Sequence, residues 1–183
     1  MKKLLAIILA LLVALTLFSP ASAQGDYFFA VERLSVHAYW NSDGTLSLDY
    51  TWVFVNQPGA HVIDFVDVGT PNDNYGDILA DVNGNPVSIS TDYQGEGGSG
   101  FAVDMGAYAI QPGQRGTVHV YIGRVERVLY PDDQDEAYAS AVFAPTFFGS
   151  QYVTGSTDYT VAFHLPPGVQ PEEPRWHGAP SGF

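Results

Sequence analysis

ERLSVHAYWNSDGTLSLDYTWVFVN, residues Glu32 to Asn56, reads as a β-hairpin on which the rest of the chain is arranged. In its second half Leu46, Leu48, Tyr50, Trp52 and Phe54 alternate with Thr45, Ser47, Asp49, Thr51 and Val53. Successive strand side chains point to opposite faces, so the first set makes an apolar face and the second a mostly polar one. In the first half Leu34, Val36, Ala38 and Trp40 alternate with Arg33, Ser35, His37 and Tyr39 in the same rhythm. Asn41-Ser42-Asp43-Gly44 joins the halves, and the glycine tolerates the positive φ that a tight reversal needs. A lone hairpin is marginal in water, so a second sheet must cover the aromatic face. Trp40 and Trp52 share that face and are expected to pack together in the core.

Outward from the hairpin, strand and turn signals recur at close spacing, the pattern of a sandwich. Residues 62–68 form a short strand, and 69–77 (GTPNDNYGD) read as a loop. Asn83-Gly84 joins Ile78–Val82 to Pro86–Tyr93 in a second hairpin. Phe101 to Met105 is a short strand. Gln111-Pro112-Gly113-Gln114 introduces a long strand whose Val118, Val120 and Ile122 oppose Thr117, His119 and Tyr121. That strand is expected to run on to Val128, with a bulge at Gly123. Pro145 argues against a helix in 138–148, which leaves strand or irregular packing. Tyr159, Val161, Phe163 and Leu165 mark the last strand, stopped by Pro166-Pro167. The expected fold is therefore all-β, an immunoglobulin-like antiparallel β-sandwich over residues 24–167, preceded by a signal-peptide helix. Residues 168–183, rich in Pro, Glu and Gly, read as a linker or a truncated C-terminal segment.

Residues 1–23 are expected to be a secretory signal. Lys2 and Lys3 form a basic start, 4–18 an apolar run, and Ala21-Ser22-Ala23 a peptidase site. The chain has no cysteine, so an exported domain must be held by its core and carries no cysteine-linked lipid. An exported bacterial protein of the envelope or the medium fits these features. Cleavage after Ala23 removes the only lysines and takes the formal charge from −13 to about −15. Such a surface repels nucleic acid and anionic lipid, and leaves proteins, glycans and cations as partners. Membrane attachment is expected only through an anchor following Phe183.

Four groups of residues invite a functional reading. Asp132, Asp133, Asp135 and Glu136 place four carboxylates in five positions, the oxygen-rich composition that calcium prefers. The stretch 72–77 (NDNYGD) has a similar composition. His37, His119 and His164 fall on polar strand phases, where neighbouring strands can bring two imidazoles together as zinc or copper ligands. Tyr39 and Tyr121, also on polar phases, are candidates for an exposed platform on which a sugar ring stacks. No nucleophile elbow, P-loop or H-E-x-x-H motif is present, and no catalytic residue is assigned. A non-enzymatic role is expected: scaffolding or protein interaction in the bacterial envelope, or alternatively binding of glycan or calcium.

The order of these short patterns resembles a family of uncharacterised bacterial predicted membrane proteins, in which an exported N-terminal β domain precedes transmembrane helices. The shared features are the Asp43-Gly44 hairpin, the turn leading to a Pro-Val strand at Asn83–Val87, and the Gly-introduced strand at Gly116–Val128. The acidic and aromatic stretch Asp132–Phe148 and the Leu165-Pro166 ending complete the set. The resemblance implies an extracytoplasmic, non-enzymatic domain and lends no catalytic residues. The chain ends before any membrane helix of that pattern.

Overall fold

The computed structural model describes residues 26–96, 98–141 and 143–174. The expected signal segment and residues 175–183 of the expected linker lie outside these. Eleven strands follow in order: β1 Phe29–Trp40, β2 Leu46–Asn56, β3 Phe65–Gly69, β4 Tyr75–Val82, β5 Asn85–Pro86 and β6 Ser88–Ser90. Then come β7 Gly100–Asp104, β8 Arg115–Val125, β9 Leu129–Pro131, β10 Ala139–Ala141 and β11 Asp158–His164. A six-stranded sheet in the order β11-β1-β2-β8-β4-β5 packs on a three-stranded sheet, β3-β7-β6, and β9-β10 form a separate ribbon. The fold is an all-β sandwich. No helix of the described residues is long and apolar enough to cross a membrane.

The β1–β2 hairpin forms as its alternation dictates. Gly44 takes φ 81°, and its N–H donates to the Asn41 carbonyl at 3.0 Å. Asp43 closes the turn by accepting the Thr45 backbone N–H at 3.1 Å and hydroxyl at 2.7 Å. Leu46, Leu48, Tyr50, Trp52 and Phe54 are all wholly buried. They meet Val66, Val68, Phe101, Val103 and Met105 of the opposite layer in one core. The indole of Trp52 stacks on Tyr50 at 4.8 Å with planes 2° apart. The expected Trp40–Trp52 pair does not form. Trp40 lies opposite Leu46 at the turn, whereas Trp52 lies opposite Leu34, six residues back along β1. At the strand rise this separates them by roughly 20 Å.

Other departures come from pairing beyond the hairpin. The segment after Asn83-Gly84 changes layers instead of forming one strand. Asn85–Pro86 pairs with β4, and Ser88–Ser90 pairs with β7 in the other sheet. Pro86 has no N–H for a ladder and sits at the sheet edge, where none is needed. The expected loop 69–77 gives up its last residues to β4, which begins at Tyr75. β8 ends at Val125 rather than running on to Val128. β11 joins β1 in parallel, in a sheet otherwise antiparallel. The hard-to-read segment before it closes the core: Phe148 meets Phe29 and Phe54 edge-on at 5.5 and 5.4 Å.

Candidate binding face

The outer face of the six-stranded sheet is built from the polar phases of its strands. Register brings Asp49 of β2 between His37 of β1 and Tyr121 of β8. One row away, His119 of β8 lies between Thr51 of β2 and Asp81 of β4. The His119 side chain then connects straight across to Asp81 and diagonally to Asp49. Nδ1 of His119 is 2.9 Å from Asp81 Oδ2, and its Nε2 is 3.1 Å from Asp49 Oδ1. A neutral ring donates to one of these carboxylates, and the charged ring to both. At the β11 side, Nδ1 of His37 stands 2.8 Å from Nε2 of His164. Tyr39 stacks on His164 at 4.1 Å with planes 11° apart.

Tyr39 and Tyr121 line one shallow depression of about 360 Å³, together with Asn41, Ser47 and Asp49. The two tyrosines stand on strands flanking β2, about 10 Å apart across the sheet and offset by two residues, about 7 Å, along it. Ser47, opposite Tyr39, is a small residue between them. Its hydroxyl donates to the Gly123 carbonyl at 2.7 Å and accepts from Asn41 Nδ2 at 3.0 Å. The expected bulge is present: Leu46 pairs with Val125 but Leu48 with Ile122, so β8 carries one extra residue there. Gly123 leaves space that a side chain would fill. A Cβ there would stand 2.8 Å from Asp77 Cβ and 3.4 Å from Tyr121 Cε1. The Tyr121 ring thus leans along β8 towards the row of Ser47 and Tyr39. Because His164 covers one side of the Tyr39 ring, the other side is turned to the depression. Among the described residues, Asn41 Oδ1, Asp49 Oδ2 and both tyrosine hydroxyls take no hydrogen-bond partner, so the wall offers acceptors and hydroxyls.

The acidic loop is arranged differently. Asp132 is buried and turns its carboxylate inward, accepting the N–H groups of Gln134 at 2.8 Å and Asp135 at 3.1 Å. Its other oxygen accepts the Ser140 hydroxyl at 2.6 Å. Asp135 accepts the Ala137 N–H at 3.0 Å. Among the described residues, no three His, Asp or Glu side chains converge where a metal ion could sit. Of Asp132, Asp133, Asp135 and Glu136, the carboxylates expected to bind calcium, Asp132 and Asp135 bond within their own loop. In the 72–77 stretch, Asn72 is likewise used internally, accepting the Asn74 N–H at 2.8 Å and donating to the Glu126 carbonyl at 2.9 Å.

Asn41, Ser47, Asp49 and Asp81 were not singled out by sequence. Each is an ordinary polar residue of a turn or strand, and only the polar phase of β2 and β4 hinted at a shared face. Asp49 and Asp81 are separated by the His119 ring and do not confront one another across a cleft.

No known family model matches the sequence, and no curated protein matches it. Among solved structures, the chain is similar to an M1 zinc metallopeptidase from Deinococcus radiodurans, with 17% identity and a TM-score of 0.38. That likeness covers 55% of this chain and 21% of the peptidase. It is also similar to leukotriene A4 hydrolase from Saccharomyces cerevisiae, with 14% identity and a TM-score of 0.41, covering 55% of this chain and 16% of the hydrolase. The chain thus spans a small part of the length of either enzyme.

Proposed function

We propose that this chain is an extracytoplasmic, non-enzymatic β-sandwich domain that works by recognition, and that the outer face of its six-stranded sheet binds a saccharide. The observation that carries this reading is the slot between Tyr39 and Tyr121, floored by Ser47 and walled by Asn41 and Asp49. Two tyrosine rings on the strands either side of β2 offer flat faces on which a sugar ring stacks. The unpaired acceptors suit a ligand that brings its own donors, as sugar hydroxyls do. The negative carboxylate and the net charge of −13 select for neutral or amino sugars over acidic ones. Titration of the purified chain with neutral and N-acetylated oligosaccharides, followed calorimetrically, tests this. Tyr39→Ala and Tyr121→Ala should each weaken binding at least about tenfold while leaving the fold intact. Binding that ignores both substitutions, or a panel without any ligand, would sink the proposal.

A scaffold or protein-interaction role has its own support at β11. That strand is a sheet edge, and Tyr159 and Phe163 on it are exposed, as is Phe147 nearby in sequence. Edge strands with exposed aromatic side chains are templates for pairing with another chain.

A further inference from the structure

Two kinds of histidine share the outer face. His119 is committed to Asp49 and Asp81. His37 and His164 are not: among the described residues, each imidazole has only the other as hydrogen-bond partner, at 2.8 Å. Their centroids are 5.1 Å apart and their planes 21° apart, so the rings meet nearly end to end and both nitrogens aim at the space between them. We propose that this pair is a binding site for a divalent transition metal of the zinc and copper class, with the two imidazoles as protein ligands and water completing the shell.

The separation of the two nitrogens is close to what such an ion requires. Two nitrogens in adjacent coordination positions, each about 2.0–2.1 Å from one ion, stand about 2.9–3.3 Å apart. The pair needs to open by a few tenths of an ångström, and each ring must turn in place so that its lone pair, now aimed at the other ring, converges on the ion. No proton need leave a neutral pair. The hydrogen between the rings moves to the far nitrogen of the donor ring, which frees both facing lone pairs for the metal.

The sheet holds the ligands ready. Parallel pairing sets His164 opposite Tyr39, one step along from His37 and Ala162. The Tyr39 ring lies flat on His164 at 4.1 Å and fixes the plane of that imidazole, within which the ring can still turn. Asp49, directly opposite His37 on β2, and the net charge of −13 raise the local concentration of cations. Imidazole nitrogen prefers zinc and copper to the hard ions calcium and magnesium. With two protein ligands the site is open and exchangeable, unlike a closed four-ligand structural centre. This proposal does not depend on saccharide binding.

Calorimetric titration of the full chain with zinc and with copper chlorides near neutral pH is the test. One ion per chain is expected at this site, with no saturable heat from calcium or magnesium. His37→Ala and His164→Ala should each weaken binding at least about tenfold, and His61→Gln should leave it unchanged. Copper paramagnetic resonance on the unaltered chain, which needs no variant to fold, should show two imidazole nitrogens bound. Absence of saturable binding, an equal response to calcium, binding that survives in the doubly substituted chain, or a spectrum lacking the two nitrogens overturns the assignment.

Discussion

Strand β2 carries two different surfaces in alternate residues. Leu46, Leu48, Tyr50, Trp52 and Phe54 are wholly buried, whereas Asp49 and Thr51 on the other face stay partly open and meet polar neighbours. The inner surface is made by quantity: each apolar residue adds buried area whatever its exact neighbour. The outer surface is made by position. Asp49 matters only because register sets His37 on one side of it and Tyr121 on the other. A one-residue slip would exchange the two faces and destroy both.

Trp52→Ala against Thr51→Ala is the strongest way to break this contrast. The indole is wholly buried and stacked on Tyr50. Its removal leaves a cavity and should cost about 3–5 kcal/mol in denaturant unfolding. Thr51→Ala, one residue away on the outer face, should stay within about 0.5 kcal/mol. Similar losses at the two positions would mean that the outer face is also held by tight packing.

A smaller effect is expected at Gly123, where the faces communicate. An added methyl meets Asp77 Cβ at 2.8 Å, so strand β4 or the bulge must shift. Gly123→Ala should cost about 1–3 kcal/mol, as overpacking does. Because Tyr121 and Ser47 both rest on this residue, saccharide binding should fall further than the stability loss alone explains. Unfolding curves and calorimetric titration of the same preparation separate the two.

The sandwich, the opening hairpin with its turn, the bulge at Gly123 and the polar phases of Tyr39 and Tyr121 were legible in the sequence. Each depends on local periodicity or on the special conformation of a glycine. Partners across strands were not legible. The Trp40–Trp52 expectation failed because sharing a face says nothing about distance along a strand. The parallel docking of β11, which brings His164 to His37, joins residues 127 positions apart and leaves no trace in any short window. At Asp132 to Glu136 composition showed the charge but not that Asp132 and Asp135 cap their own loop. Asp49, the centre of the outer face, looked like any other polar strand residue.

His119 gives a weaker test of the outer face. Its ring bridges Asp49 and Asp81 while about a third of its side chain stays exposed to solvent (35%). His119→Ala should therefore cost no more than about 1 kcal/mol, despite removing two polar contacts. With the ring protonated, that loss should shrink as salt is added, because exposed charge pairs are screened. A loss like that of Trp52→Ala, insensitive to salt, would place the outer face in the same energetic class as the core.

The smallest expected effect lies at the turn that ends both faces. Asp43 accepts the Thr45 hydroxyl and backbone N–H, and Arg124 of the bulge approaches its other oxygen at 3.1 Å. These contacts, the Thr45 hydroxyl first, hold its carboxyl below the ordinary carboxylate range. A carboxyl depressed by folding adds stability that is complete above its unfolded value and lost as pH falls through its folded one. The turn should thus loosen only below about pH 4, with amide exchange at Thr45 as the readout. Carbon NMR titration of Asp43 should place its midpoint below that of a free aspartate. Thr45→Val should raise the midpoint more than Arg124→Gln does, because the hydroxyl is the larger cause. The opposite ranking would show that the bulge, through Arg124, holds the turn from the outer face, and that the hairpin does not close its own end.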